Sequence, residues 1–303
     1  MQNRKLLGNL LLTLTALIWG TAFVFQRVGM DSIEPITFTA ARFWLAAAAV
    51  GAVALVNAKR EQHDRTAEEA AGRKHDTLIG GICCGIFLGT ASVFQQMGLV
   101  YTTAGKAGFI TAMYILIVPV LGFVLFRRKN SWLVWLAVAI GVVGMYLLCV
   151  NEGFSLTHGD TLVVICAVLF SGHILCCDHF VQRGDPIGIS AIQFLTTAVL
   201  TTVVSFLAEQ PTWEKVISAA LPILYCGLIS GGVGYTLQIV AQKFTDPTIA
   251  SLLMSLESVF AVIAGALLLH ETMSTRELVG CIVMFAAIIL VQIPTPKKTK
   301  KEA

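Results

Sequence analysis

Charge is what this sequence has least of: only 13% of its 303 residues are Asp, Glu, Lys or Arg, about half the roughly 25% of an ordinary soluble domain. Apolar side chains make up 56%, more than one soluble core of this length can bury, which excludes the soluble classes and leaves a membrane protein. A polar stretch long enough for a soluble domain is also missing. Ten helices of roughly 20 residues, each crossing about 30 Å of hydrocarbon, use about 200 residues and leave about 100 for connections. The net charge of +3 is too small to indicate a nucleic-acid partner. No Cys-x-x-Cys pair occurs: the eight cysteines (Cys83, Cys84, Cys149, Cys166, Cys176, Cys177, Cys226 and Cys281) all fall in apolar stretches and read as small buried hydrophobes, not disulfides or metal ligands. Enzyme and cofactor signatures are lacking as well. AGKAG, from Ala104 to Gly108, lacks the preceding Gly and following Ser or Thr of a phosphate loop, and HETMS, from His270 to Ser274, is not a zinc-binding His-Glu-x-x-His. No cofactor, metal or catalytic constellation is expected, and an enzyme is not the reading.

What the sequence has is apolar runs. Ten of them, free of clustered charge, lie near 6–26, 35–57, 77–100, 104–126, 131–150, 158–178, 186–208, 217–242, 247–269 and 275–293. They lack the period-2 alternation of barrel strands, so the expectation is an all-α membrane protein of ten transmembrane helices. The first run follows a basic start like a signal peptide but is too long for one, and is taken as an uncleaved span. With the amino terminus in the cytoplasm, 16 of the 21 basic residues fall on the cytoplasmic side, four on the other (Arg27, Lys106, Lys215 and Arg276) and Arg42 within a span. That bias is what the positive-inside rule predicts, with both termini cytoplasmic in a multi-pass protein of the cytoplasmic (inner) membrane. The one long polar connection runs from Ala58 to Asp76 and is expected to be flexible or partly helical; residues 297–303 form a basic tail.

The halves repeat. A shift of 151 lays Ala16 on Ala167, Pro35 on Pro186, Ala40 on Ala191 and Phe43 on Phe194; a shift of 143 lays Cys83 on Cys226, Gln95 on Gln238, Thr102 on Thr245 and Gly122 on Gly265. The units are therefore 1–150 and 151–296, followed by the tail. Each holds five helices, an odd number, so the second must enter the bilayer from the opposite face. This makes two inverted five-helix repeats, the sequence sign of alternating access.

Ala16-Leu-Ile-Trp19-Gly20-Thr21, Arg42 in TAARF, Leu256-Glu257-Ser258-Val259-Phe260-Ala261 and Leu269-His270-Glu271 resemble the EamA-type branch of the drug/metabolite transporter superfamily. The likeness runs from Leu6 to about Ile293. Two positions depart from the pattern: Ser258, where the family often has Pro, and Lys106, where it often has Asn. The resemblance implies two inverted five-helix halves and secondary export of amino acids and other small metabolites. A non-transporting sensor or assembly protein on the same fold is the alternative, and pairing of two copies stays open.

Polar residues inside the spans are the site candidates, because an intramembrane charge costs about 3 kcal/mol or more unless it is paired or neutralised. Glu257, about midway along span nine, either carries a coupling proton, faces a substrate amine or bonds across the bundle. The repeat sets Tyr114 at its place in span four. Arg42 lies about two turns below the outer end of span two, with Gln193 as repeat-mate. It holds a substrate carboxylate, snorkels outward, or pairs with Glu34 or Asp31. Lys106 is a second anion contact or another snorkelling side chain. Gln95 and Gln238 are repeat-mates placed to line opposite mouths of one pathway or to join helices. His173 relays protons or is a satisfied interior group; Trp19 walls the cavity or packs in the core. The stripe Gly81, Gly85, Gly89, echoed by Gly227 and Gly231, is read as close helix packing.

Overall fold

The computed structural model describes residues 2–61, 67–128, 130–149, 157–270 and 274–292, all helix, turn or irregular chain with no strand among them. The order is α1 (Gln2–Gly29), α2 (Pro35–Glu61), α3 (Ala67–Leu99), α4 (Ala104–Thr111), α5 (Tyr114–Phe126), α6 (Trp132–Cys149), α7 (His158–Val181), α8 (Pro186–Ala208), α9 (Trp213–Ser218) and α10 (Ala220–Leu224). A π-helix (Tyr225–Tyr235), α11 (Thr236–Gln242), α12 (Pro247–Met254), α13 (Glu257–Leu268) and α14 (Thr275–Gln292) complete it. Eight segments are long and apolar enough to cross a membrane. The other two apolar runs are helical, but their strongly apolar parts, Trp132–Gly144 and Leu278–Ala287, are shorter. The long polar connection is mostly an extension of its neighbours: α2 continues to Glu61 and α3 begins at Ala67. The basic tail lies outside the described residues.

The helices start where the sequence supplies caps. Asp185 accepts from Gly188 N ahead of Pro186, Asp246 accepts from Thr248 N ahead of Pro247, and Thr157 with Asp160 forms a capping box on α7. Their exposed faces are apolar, as Leu125, Leu207 and Leu267 show. That arrangement fails in water and suits lipid, where helices satisfy their own backbone.

Three features break the regular pattern. Span four is split between α4 and α5 at Ala112–Met113, and span nine between α12 and α13 at Ser255–Leu256, positions one repeat shift of 143 apart. Span eight carries eleven residues of π-helix where its repeat-mate, α3, is regular α-helix. The glycine stripes seat one half on the other. A Cβ at Gly81 would come within 2.5 Å of Ile192, and one at Gly85 within 2.6 Å of Thr196, so α3 lies directly on α8. A Cβ at Gly227 would meet the Arg42 carbonyl at 2.7 Å, so the π-helix lies as close on α2. Each half thus covers the small-residue face of the other.

Candidate substrate cavity

A small, partly open cavity, about 420 Å³ of empty space counting its mouth, lies where the split helices meet. Seven of the eight residues singled out in the sequence line it: Trp19, Arg42, Gln95, Tyr114, His173, Gln238 and Glu257. Four pairs of repeat-mates are among its lining residues: Trp19 and Phe170, Phe23 and Ile174, Gln95 and Gln238, Tyr114 and Glu257. The last pair touches. Tyr114 Oη donates to Glu257 Oε1 at 2.8 Å, with the two residues 2% exposed each. This bond joins the two repeats directly at the cavity. Tyr114 and Glu257 each open the second half of a split helix, just past the break.

Arg42 is buried, 4% exposed. Its Nη1 donates to Gln26 Oε1 at 2.9 Å, and its guanidinium carbon lies 5.0 Å from the Phe43 ring centre and 5.7 Å from that of Phe38. The expected alternative of pairing with Glu34 or Asp31 is not what the structure shows: Glu34 is bonded by Lys215, and Asp31 by Arg27. Glu34 lies outside the spans. Burial raises its carboxyl, but the hydrogen bond and charge of Lys215 outweigh this and hold it below the usual range. The opposite half repeats the device, with Asp185, the repeat-mate of Glu34, 3.0 Å from Arg73.

Lys106 is the candidate that stays out of the cavity lining. Its ammonium bonds Asp160 at 2.8 Å, tying α4 to α7. Gln95 and Gln238 line the same cavity. Gln95 donates to Thr111 at 3.2 Å and Gln238 to Gln242 at 3.1 Å. His173 hydrogen-bonds Gln193, the repeat-mate of Arg42, at 3.0 Å. Trp19 donates to Ser230 O at 3.3 Å and packs 4.5 Å from Tyr235 between ring centres. Tyr235, Gln26, Thr111 and Ser230 were not singled out from the sequence. Gln26 had a signal, being a polar residue within span one, but its place beside Arg27 reads as the membrane interface.

Split helices that meet at a central polar cavity, in a chain of long apolar helices, define a membrane transport protein. The EamA-like transporter family model matches residues 6–150 and again 157–293. The chain belongs to that family and is a multi-pass membrane transporter. It is 26% identical to an uncharacterized transporter of Archaeoglobus fulgidus, over 96% of this chain and 87% of that one. It is 25% identical to the uncharacterized inner membrane transporter YedA of Escherichia coli strain K12, over 91% and 88%. A solved crystal structure aligns at a TM-score of 0.74 and 17% identity, covering 96% of this chain and 97% of that one, and shares the fold.

Proposed function

We propose that the protein is a secondary transporter of the cytoplasmic membrane that exports small metabolites, amino acids foremost, by alternating access. The observation that carries this reading is the cavity walled by repeat-mates. Two halves of opposite orientation that touch at the cavity can rock against each other, exposing the same cavity first to one face and then to the other. In this reading all ten apolar runs cross the bilayer and both termini are cytoplasmic. The positive-inside bias and the name of the inner-membrane relative from Escherichia coli support that placement. No nucleotide motif occurs, so an ion gradient or the substrate's own gradient drives the cycle. Glu257 is the proposed carrier of a coupling proton, because its bonded partner Tyr114 is a neutral hydroxyl that tolerates either carboxyl form.

The test is transport by the purified protein in liposomes. Radiolabelled amino acids should enter preloaded vesicles faster than protein-free controls, by counterflow and in a saturable way. Vesicles that move none of the twenty amino acids above background would sink the substrate class. For topology, a single cysteine placed at Gln62 in a cysteine-free background should react with an impermeant thiol reagent only from the cytoplasmic face; reaction from outside would overturn the inverted arrangement.

A further inference from the structure

We propose that one edge of the Arg42 guanidinium is a carboxylate subsite of the cavity, and that Gln26 is the positioning residue that aims it. For its occupant this rests on the transport reading above. An arginine side chain offers five N–H donors in a rigid plane. In Arg42 one end of that plane is engaged, Nη1 on Gln26 Oε1 at 2.9 Å. The edge formed by Nε and Nη2 is buried; the Cys226 thiol, a weak partner, is the polar side chain beside it, and neither nitrogen meets a stronger acceptor among the described residues. Those two nitrogens carry parallel N–H groups, the fork that matches the two oxygens of a carboxylate.

The surroundings fix the plane and leave its charge unanswered. Phe43 and Phe38 lie against the guanidinium, and the Cys226 thiol lies beside it. Among the described residues no carboxylate is within ion-pair distance of Arg42: Glu34 and Asp31 have other partners, and Glu257 is held by Tyr114. A buried cation without a counterion is expensive, and an unmade buried hydrogen bond adds to that cost. An incoming anion relieves both.

Gln26 is itself held in place. It is 4% exposed, and its backbone carbonyl accepts from Gln96 Nε2 at 3.3 Å. The second half has neither partner, since the repeat-mates of Arg42 and Gln26 are Gln193 and Cys177. The subsite is therefore single and one-sided. A tetrahedral phosphate or sulfate brings more charge and more oxygens than one edge can serve, and Arg42 is the only arginine or lysine among the lining residues. The site fits a planar monoanion.

Thermal unfolding of the purified full-length protein tests this with pairs of probes that differ only at that group: L-leucine and L-leucinamide, L-phenylalanine and L-phenylalaninamide, benzoate and benzamide. At least one acid should stabilise the protein with an affinity about tenfold or more above its amide, the difference a charge-assisted pair of hydrogen bonds makes. Arg42→Gln should erase the discrimination, and Arg42→Lys, which keeps charge but loses the two-donor edge, should restore only part of it. Gln26→Leu should reduce the acid-to-amide ratio, a quantity that a loosened fold alone leaves unchanged. Gln26→Glu, which supplies the missing counterion from within, should abolish acid binding. Equal stabilisation by acid and amide, none by any acid, a preference for inorganic phosphate or sulfate, or full discrimination in Arg42→Gln would each overturn the subsite. Vesicles that move amino acids while acid and amide bind alike sink the subsite and spare the transport reading. Arg42-dependent acid binding without any transport does the reverse.

Discussion

At one repeat position the first half carries Arg42, held by Gln26, and the second carries Gln193, held by His173. Where the halves touch, Tyr114 bonds Glu257. Other mates facing the cavity are neutral in both halves: Trp19 with Phe170, Phe23 with Ile174, Gln95 with Gln238. Duplication explains the neutral pairs, since both halves can wall the cavity alike. It cannot explain the charged ones. A residue that touches its own mate cannot be ionised in both copies, because two like charges at hydrogen-bond distance away from water repel strongly. Contact therefore forces Tyr114 and Glu257 apart in sequence, and among the cavity-lining residues Arg42 and Glu257 stand only where the mates differ.

Five substitutions break or sharpen that comparison. Glu257→Gln, which leaves the touching pair neutral in both halves, should abolish gradient-driven accumulation in liposomes while substrate-induced thermal stabilisation partly survives. Accumulation that persists with unchanged pH dependence would make Glu257 a structural hydrogen-bonding group. Tyr114→Glu makes the pair symmetric the other way, placing a second carboxyl where the 2.8 Å bond now lies. It should cost about 3–5 kcal/mol of stability at neutral pH. The loss should shrink as pH falls, because taking up one proton removes the repulsion; thermal unfolding between pH 5 and pH 8 checks the sign.

Gly227→Ala copies a Cβ from the mate Cys84 into the second half, 2.7 Å from the Arg42 carbonyl. Backbone must give way, so a cost of about 1–3 kcal/mol and weakened carboxylate binding are expected. Gly51→Ala has nothing within 4 Å and should instead gain roughly 0.5–1 kcal/mol from helix propensity. The smallest effect belongs to the mirrored ion pairs. Lys215→Met should cost at most about 1 kcal/mol, as part-exposed pairs do. Because Glu34 is held below its usual range in the folded state, the pair's contribution is present above the ordinary Glu value and fades as pH falls through the folded one. Lys215→Met should flatten that acid limb in an unfolding series, and an unchanged limb would remove Glu34 from the account.

The apolar runs and the doubled register are legible because lipid sets both: length fixes spans, and a repeated sequence must repeat its structure. The site candidates were legible for the same reason, since a polar side chain in a span is conspicuous. What hid was local backbone. Thr111-Ala-Met-Tyr114 and Met254-Ser-Leu-Glu257 contain neither Pro nor Gly, so the usual signs of a broken helix are absent where both breaks occur. The π-helix hid behind glycines that read as packing. Partners hid too, because contacts such as Gln26 with Arg42 or His173 with Gln193 depend on how helices lean, which spacing along one helix does not encode.

The glycine faces have a consequence for how the protein is made. Helices α1 to α6 precede the second half in the chain, yet Gly81 and Gly85 on α3 find their partner only on α8. The face of α2 around Arg42 and Leu45 waits longer still, for Gly227. A nascent first half therefore holds its polar groups against lipid or against one another until translation is nearly done. Two halves expressed from separate messages should survive only when both are present, each serving as the other's chaperone.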